Sequence, residues 1–126
     1  MFSSYITLRI DKNSEWDVIH NTFPKKSGNL ITTSVETVPC GHYEDEKTAQ
    51  IAAEKMAELK QLQFVPSDKS VITIFSQFDY YVVMELSYNG DIQGHGTSLV
   101  DFNSAISKAK EVASENGFSF ITPKKF

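Results

Sequence analysis

Arginine is almost missing from this chain. Of its 12 basic residues only one, Arg9, is an arginine. Bidentate recognition of phosphate or of guanine therefore has little material. Acidic residues outnumber basic ones 16 to 12, for a net charge of −4. That balance opposes a grip on a phosphate backbone, and it is too small for an acidic mimic of DNA. Cysteine is limited to Cys40, which excludes an internal disulfide and every paired-cysteine metal or redox motif. No apolar run approaches the roughly 20 residues of a membrane helix. The opening Met1-Phe-Ser-Ser-Tyr5 has neither the basic nor the apolar region of a secretory signal. These absences lead to the expectation of a cytoplasmic protein with no membrane contact, no metal and no cofactor. Linkers and low-complexity segments are also missing, so residues 1–126 are expected to form one domain.

What is present reads as α+β. Ile6, Leu8 and Ile10 alternate with Tyr5, Thr7 and Arg9, the pattern of a half-buried strand over 5–10. Ser14 with Glu15 and Asp17 suits a helix start, and Trp16, Ile19 and Phe23 follow at helical spacing. A short helix over about 15–22 is predicted, stopped at Pro24. Residues 25–29 read as a polar loop. Residues 30–38 are rich in β-branched side chains and read as a strand, closed by Pro39 and Gly41. Asp45 precedes the longest predicted helix, 46–63, with Ala49, Ala52, Ala53, Met56, Ala57 and Leu59 as its apolar face. Strands are predicted over 70–77 and 80–88, with a return strand over 91–97. Asp101 caps a last helix over 102–116, Gly117 stands where a left-handed cap belongs, and 118–122 reads as a closing edge strand. The expected architecture is one antiparallel sheet of five or six strands with two main helices on one face, in the order β-α-β-α-β-β-β-α-β.

Asp45, Ala49, Ala53 and Ala57 match Asp101, Ala105, Ala109 and Ala113 at a constant interval. Helix packing alone supplies alanines at that spacing, so the repetition is read as two similarly packed helices, and a true internal repeat is left open.

Four constellations invite chemistry. Cys40 and His42 stand at i and i+2, as a nucleophile and base could, but no third residue orients them, and Cys40 is expected to be non-catalytic. His20, His42, His95 and Cys40 lack the paired spacing of a structural zinc site. The hairpin around Asn89-Gly90 allows two registers. A two-residue turn pairs Tyr88 with Asp91 and leaves polar residues on the apolar row. A bulge pairs Tyr88 with Ile92 and Glu85 with His95. The bulged register is favoured, because it buries Ile92 and gives His95 an acidic partner. The aromatic group near Phe75, Phe78, Tyr80 and Tyr81 could stack bases, yet its polar neighbours include Gln77 and Asp79 rather than lysines.

Residues 80–98, "YYVVMELSYNGDIQGHGTS", followed by "FNSAISKAKEVA" at 102–113, resemble in outline the hairpin-plus-final-helix half of double-stranded RNA-binding domains. Those domains begin the helix with lysines that grip phosphate. Here Val100-Asp101-Phe102-Asn103 stands in that place, so no family follows. The expectation is a small, non-enzymatic binding or regulatory domain of bacterial or phage type, an inhibitor or modulator of a protein partner. The alternative is a small-ligand or nucleic-acid module using the aromatic hairpin. Candidate contact residues are Phe78, Tyr81, Glu85 and His95. The apolar ends Met1-Phe2 and Phe126, with the presumed edge strands at 5–10 and 118–122, lead to an expected homodimer.

Overall fold

The computed structural model describes residues 1–96 and 98–125. Thr97, the end of the expected return strand, and Phe126, one of the apolar ends, lie outside the described residues. Strands β1 (Ser3–Ile10) and β2 (Trp16–Phe23) form a hairpin paired along its whole length, from Ser3 opposite Phe23 to Ile10 opposite Trp16. A small hairpin follows, β3 (Lys25–Ser27) and β4 (Leu30–Thr32). Strand β5 (Glu36–Tyr43) returns antiparallel along β2, helix α1 (Glu46–Lys60) crosses over, and β6 (Gln63–Val65) lies parallel to β1. The second half contains β7 (Val71–Gln77), β8 (Tyr80–Leu86), β9 (Ile92–Gly94), α2 (Phe102–Asn116) and β10 (Ser119–Phe120).

The single sheet expected from the sequence is thus replaced by two four-stranded sheets, ordered β5-β2-β1-β6 and β10-β7-β8-β9, plus the β3-β4 hairpin. The two helices do not share a face either. Helix α1 packs Ala49, Ala53 and Ala57 on Ile6, Leu8 and Val18 of the first sheet. Helix α2 packs Ala105, Ala109, Val112 and Ala113 on Ile72, Ile74 and Val83 of the second. Between the sheets lies a third apolar group that draws on both halves: Tyr5, Phe23 and Val65 against Val71, Met84, Leu86 and Ile121. The layers run helix, sheet, sheet, helix. Each sheet is buried on both sides in its middle, which is why alternation along β1 and β7 is incomplete.

The halves repeat each other. In each, two antiparallel strands and a third beside them lead into a helix, then into a short strand parallel to the first. The helices are both 15 residues long. Asp45 caps α1 by accepting from the Thr48 amide, and Asp101 caps α2 by accepting from the Ser104 amide, each satisfying one of the free donors of a first turn. After the helix, the Leu62 amide donates to Ala57 and the Phe118 amide to Ala113. Thr7 donates from Oγ1 to the Val65 carbonyl (2.6 Å) on one side, and Thr73 donates to the Ile121 carbonyl (2.9 Å) on the other. The matching alanines therefore belong to a structural repeat of the whole β-β-β-α-β unit. The dipeptides Gly41-His42 and Gly94-His95, each ahead of a helix, do not. His42 is three residues ahead of its cap and His95 six, so they are not equivalent positions.

Several expected elements change type or extent. Residues 16–23 are β2, not a helix. Ser14 takes a left-handed turn (φ 62°) instead of capping one, and every residue of 16–23 finds a partner on β1. The Trp16, Ile19, Phe23 spacing imitates a helical stripe because both faces of β2 are covered, Trp16 packing toward α1 with Leu8 and Val18 and Phe23 packing between the sheets. Pro39 and Gly41 do not end a strand but lie inside β5, an edge strand where a missing amide is tolerated. The predicted strand 30–38 divides into β4 and β5. Leu59, placed on the apolar face of α1, is 76% exposed. The segment at 5–10 is no edge. It is β1, flanked by β2 and β6.

Candidate functional site

The β8-β9 connection takes neither register weighed above. Gly90 donates its amide to the Ser87 carbonyl, and Gly90 itself has φ 98°. This is a turn followed by a left-handed glycine, the common three-residue hairpin loop. Leu86 then pairs with Ile92, Glu85 with Gln93 and Met84 with Gly94. Ile92 reaches the apolar group between the sheets, as the bulged register required. The side chains of His95 and Glu85 also meet, Nε2 to Oε1 at 2.7 Å, although their backbones are not partners. His95 instead donates its amide to Val83.

The other two candidate residues lie elsewhere. Tyr81 packs edge-on against Phe102, ring centroids 5.4 Å apart, and its backbone exchanges two hydrogen bonds with Leu99. It serves the packing of α2. Four residues separate Tyr81 from Glu85 along β8, roughly 13 Å of extended chain. Phe78 stands apart from all of these, at the two-residue tip between β7 and β8, where Gln77 pairs with Tyr80. Its side chain is 88% exposed and its φ is 53°. A phenylalanine gains nothing locally from that conformation, which costs an L-residue about 1–2 kcal/mol. Val100, 84% exposed, follows Leu99 and by register lies beside Tyr80. On the same end of the second sheet, Ile31 and Thr32 of the β3-β4 hairpin line a groove with Phe75, Gln77, Val82 and Met84. Leu30 and Ile31 are themselves exposed. One end of the molecule thus presents Leu30, Ile31, Phe78 and Val100 to solvent.

The opposite end, reached by following β8 to its other terminus, holds a cleft of about 490 Å³ between the sheets. Tyr5, Thr7, Arg9, Ile19 and Asn21 form one wall, Leu86–Ile92 the other, and Ser67 and Lys69 of the link between the halves close one side. Tyr5 is buried, and burial holds its hydroxyl above the ordinary tyrosine range, an effect that the hydrogen bond from Asn21 partly opposes. Thr37 donates to Asn21 Oδ1 (2.6 Å), and Asn21 Nδ2 donates to the Tyr5 oxygen (3.3 Å).

A cluster of charge also assembles where the β1-β2 hairpin turns beside the end of β5. His42 Nδ1 lies 2.7 Å from Asp17 Oδ1, and Nε2 lies 3.1 Å from Glu15 Oε1. Both ring nitrogens can donate only in the imidazolium form. The bonds to Asp17 and then Glu15 accordingly raise the His42 pKa, and His42 in turn lowers that of Asp17. Asp11 Oδ1 accepts the amides of Asn13 and Glu15, and Arg9 reaches Asp17 at 3.5 Å. Ligand atoms of Asp11, Asp17 and His42 lie within 4.8 Å of one another, close enough to share a cation. When His42 is protonated, its imidazolium places a positive charge among these carboxylates. The sequence shows no sign of this cluster, since 25 residues separate Asp17 from His42 and only strand pairing joins them.

The imidazole of His42 is thereby directed away from Cys40, whose thiol donates to the Val38 carbonyl at 3.4 Å. His20, expected on a helix, sits on β2 with its Nε2 buried and unpartnered. Burial first, and the charge of Lys60 second, lower its pKa, with Glu36 opposing. No helix among the described residues is long and apolar enough to cross a membrane. No family model, curated protein or solved structure matches the chain.

Proposed function

We propose that this chain is a non-enzymatic regulator that binds a protein partner through the apolar end formed by Leu30, Ile31, Phe78 and Val100. The observation that carries the reading is Phe78. An aromatic side chain exposed to 88% in a left-handed backbone reduces stability and adds nothing to the core, the signature of a residue kept for a contact outside the chain. Aromatic anchors of this kind dominate the energetics of protein interfaces. The apolar neighbours would surround the anchor and exclude water. A nucleic-acid partner fits less well, because Asp79 adjoins Phe78 and the chain carries a net charge of −4. Self-association through the ends of the chain keeps only part of the argument made for it, since of the two expected edge strands only the later one, β10, is the outer strand of its sheet. Phe2 and Lys124 exchange backbone hydrogen bonds (2.7 and 2.6 Å), so the chain orders its own termini, and β1 is not an open edge. A second copy remains one possible partner for the apolar end.

Phe78→Gly separates the two roles of the position. It should raise stability by about 1 kcal/mol, since glycine adopts positive φ freely, while weakening partner binding by a factor of ten or more. Affinity capture with the wild type, followed by titration of the purified partner against both proteins, checks this. A Phe78→Gly protein that retains full affinity would remove the reading.

A further inference from the structure

The structure assigns a second, separate role to the cleft between the sheets: we propose that it binds a small organic anion with an apolar body. Three observations support it. First, the cleft lies where the two repeated halves meet, and its volume of about 490 Å³ falls within the range of small-molecule sites. Its lining is mixed, with Ile19, Val65, Leu86 and Ile92 beside hydroxyls and amides. Second, Tyr5 presents an unspent donor. Its oxygen accepts from Asn21, which is held in turn by Thr37, so the phenolic proton is left free to donate. The residue is only 6% exposed and lines the cleft, so water reaches it poorly. A buried donor without an acceptor is costly, and an oxygen on a ligand would satisfy it. Third, the charged residues of the lining are Arg9, Lys69 and Asp91, an excess of positive charge on a chain that is acidic as a whole. Arg9 is shared with Asp17 through one nitrogen, and Lys69 donates to the Gly117 carbonyl at 3.2 Å. Both retain further donors. The acidic head of a ligand would sit toward these two cations, its body against Val65 and Leu86, and an acceptor along it would meet the Tyr5 hydroxyl.

This site lies at the end of β8 away from Phe78, roughly 20 Å along a strand of this length, so the two proposals fail independently. The probe is 8-anilinonaphthalene-1-sulfonate, an aromatic anion whose fluorescence rises when it leaves water, titrated into the full chain. Saturable binding at one site is expected. The uncharged N-phenyl-1-naphthylamine should bind at least tenfold more weakly. Lys69→Gln and Arg9→Gln should each weaken the anion by roughly three- to tenfold, and Asp91→Asn should tighten it. Ser67→Trp should abolish binding by filling the space, and Phe78→Gly should change nothing. Amide shift mapping on the wild-type chain makes the result independent of how the variants fold. Perturbations centred on Tyr5, Ser67 and Leu86–Ile92 support the site. Equal affinity for charged and neutral probes, perturbations centred on Leu30, Ile31 and Phe78, or no saturable binding would each overturn it.

Discussion

Helix α1 ends at Gln61 and helix α2 at Gly117, both in the left-handed conformation (φ 56° and 69°). The two halves reach one geometry with different residues, and the difference shows what the fold demands. At the start of each helix both halves keep an aspartate, because an extended cap needs a short acceptor that reaches the first turn. On the buried faces both keep three alanines, because a larger side chain would push helix from sheet. At the helix end the first half bears a non-glycine where the second has removed the strain. Away from those positions the halves diverge. The second carries the exposed aromatic tip. The first carries the charge cluster around His42 and the extra β3-β4 hairpin. Packing constrains a small set of positions, and the surfaces left over have taken separate roles.

The largest effect should come from the positions the halves share. Ala53 and Ala109 are both fully buried. Ala53→Glu and Ala109→Glu should each cost about 3–5 kcal/mol by placing a carboxylate with no partner against a sheet. Urea denaturation checks this. Similar losses in the two variants would show that the repeat extends to energetics, and an unchanged midpoint in either would break the comparison on that side.

A smaller effect, of opposite sign in the two halves, should follow from exchanging the caps. Gln61→Gly should stabilise the chain by about 0.5–1 kcal/mol, and Gly117→Gln should destabilise it by about 1 kcal/mol. An added Cβ at Gly117 would come no closer than 4.0 Å to Lys69 Nζ, so backbone strain alone is being tested. Thermal midpoints moving in the same direction would contradict the account of the helix ends.

The smallest effect should be confined to the first half and should depend on pH. The raised pKa of His42 means that its contribution is complete below the unfolded value of about 6.5 and is lost as pH rises through the folded value. The lowered pKa of Asp17 makes its contribution complete above about 3.9 and lost as pH falls through its folded value. Between these limits the ion pairs are strongest. His20 acts in the other sense, because its lowered pKa makes the folded state less favourable as pH falls below about 6.5. Melting curves of the wild type and His42→Gln between pH 5 and 9 isolate the first contribution. The wild type should lose more stability above neutrality than the variant. Parallel curves would show that the cluster does not act on folding.

Helix α2 was legible to the residue. Asp101, the alanine stripe and Gly117 are local signals, and nothing distant competes with them. Strand β2 was not. Its apolar spacing suited a helix, and only its pairing with β1 decides otherwise, a contact that no local pattern announces. The layered arrangement was hidden for a related reason. Residues on both faces of β1 and β7 are buried, and a chain read alone does not say whether a helix or another sheet covers a given face. The contact between Glu85 and His95 could be anticipated because a short loop joins their strands. The His42 cluster and the cleft wall at Tyr5 could not, since each joins segments far apart in the chain. Phe78 could be named as a candidate contact residue, but neither its exposure nor its left-handed backbone could be foreseen.

The hydrogen-bonded meeting of Phe2 and Lys124 has a topological consequence. The two ends of the chain are neighbours, and along the chain the halves are connected by the link running from Val65 to Val71. A short peptide closing the ends would turn the molecule into a ring of two like units. Opening that ring at Asp68, an exposed residue of the link, would yield a circular permutant with the second unit first and the same strands paired. The layered arrangement therefore does not depend on which unit comes first along the chain.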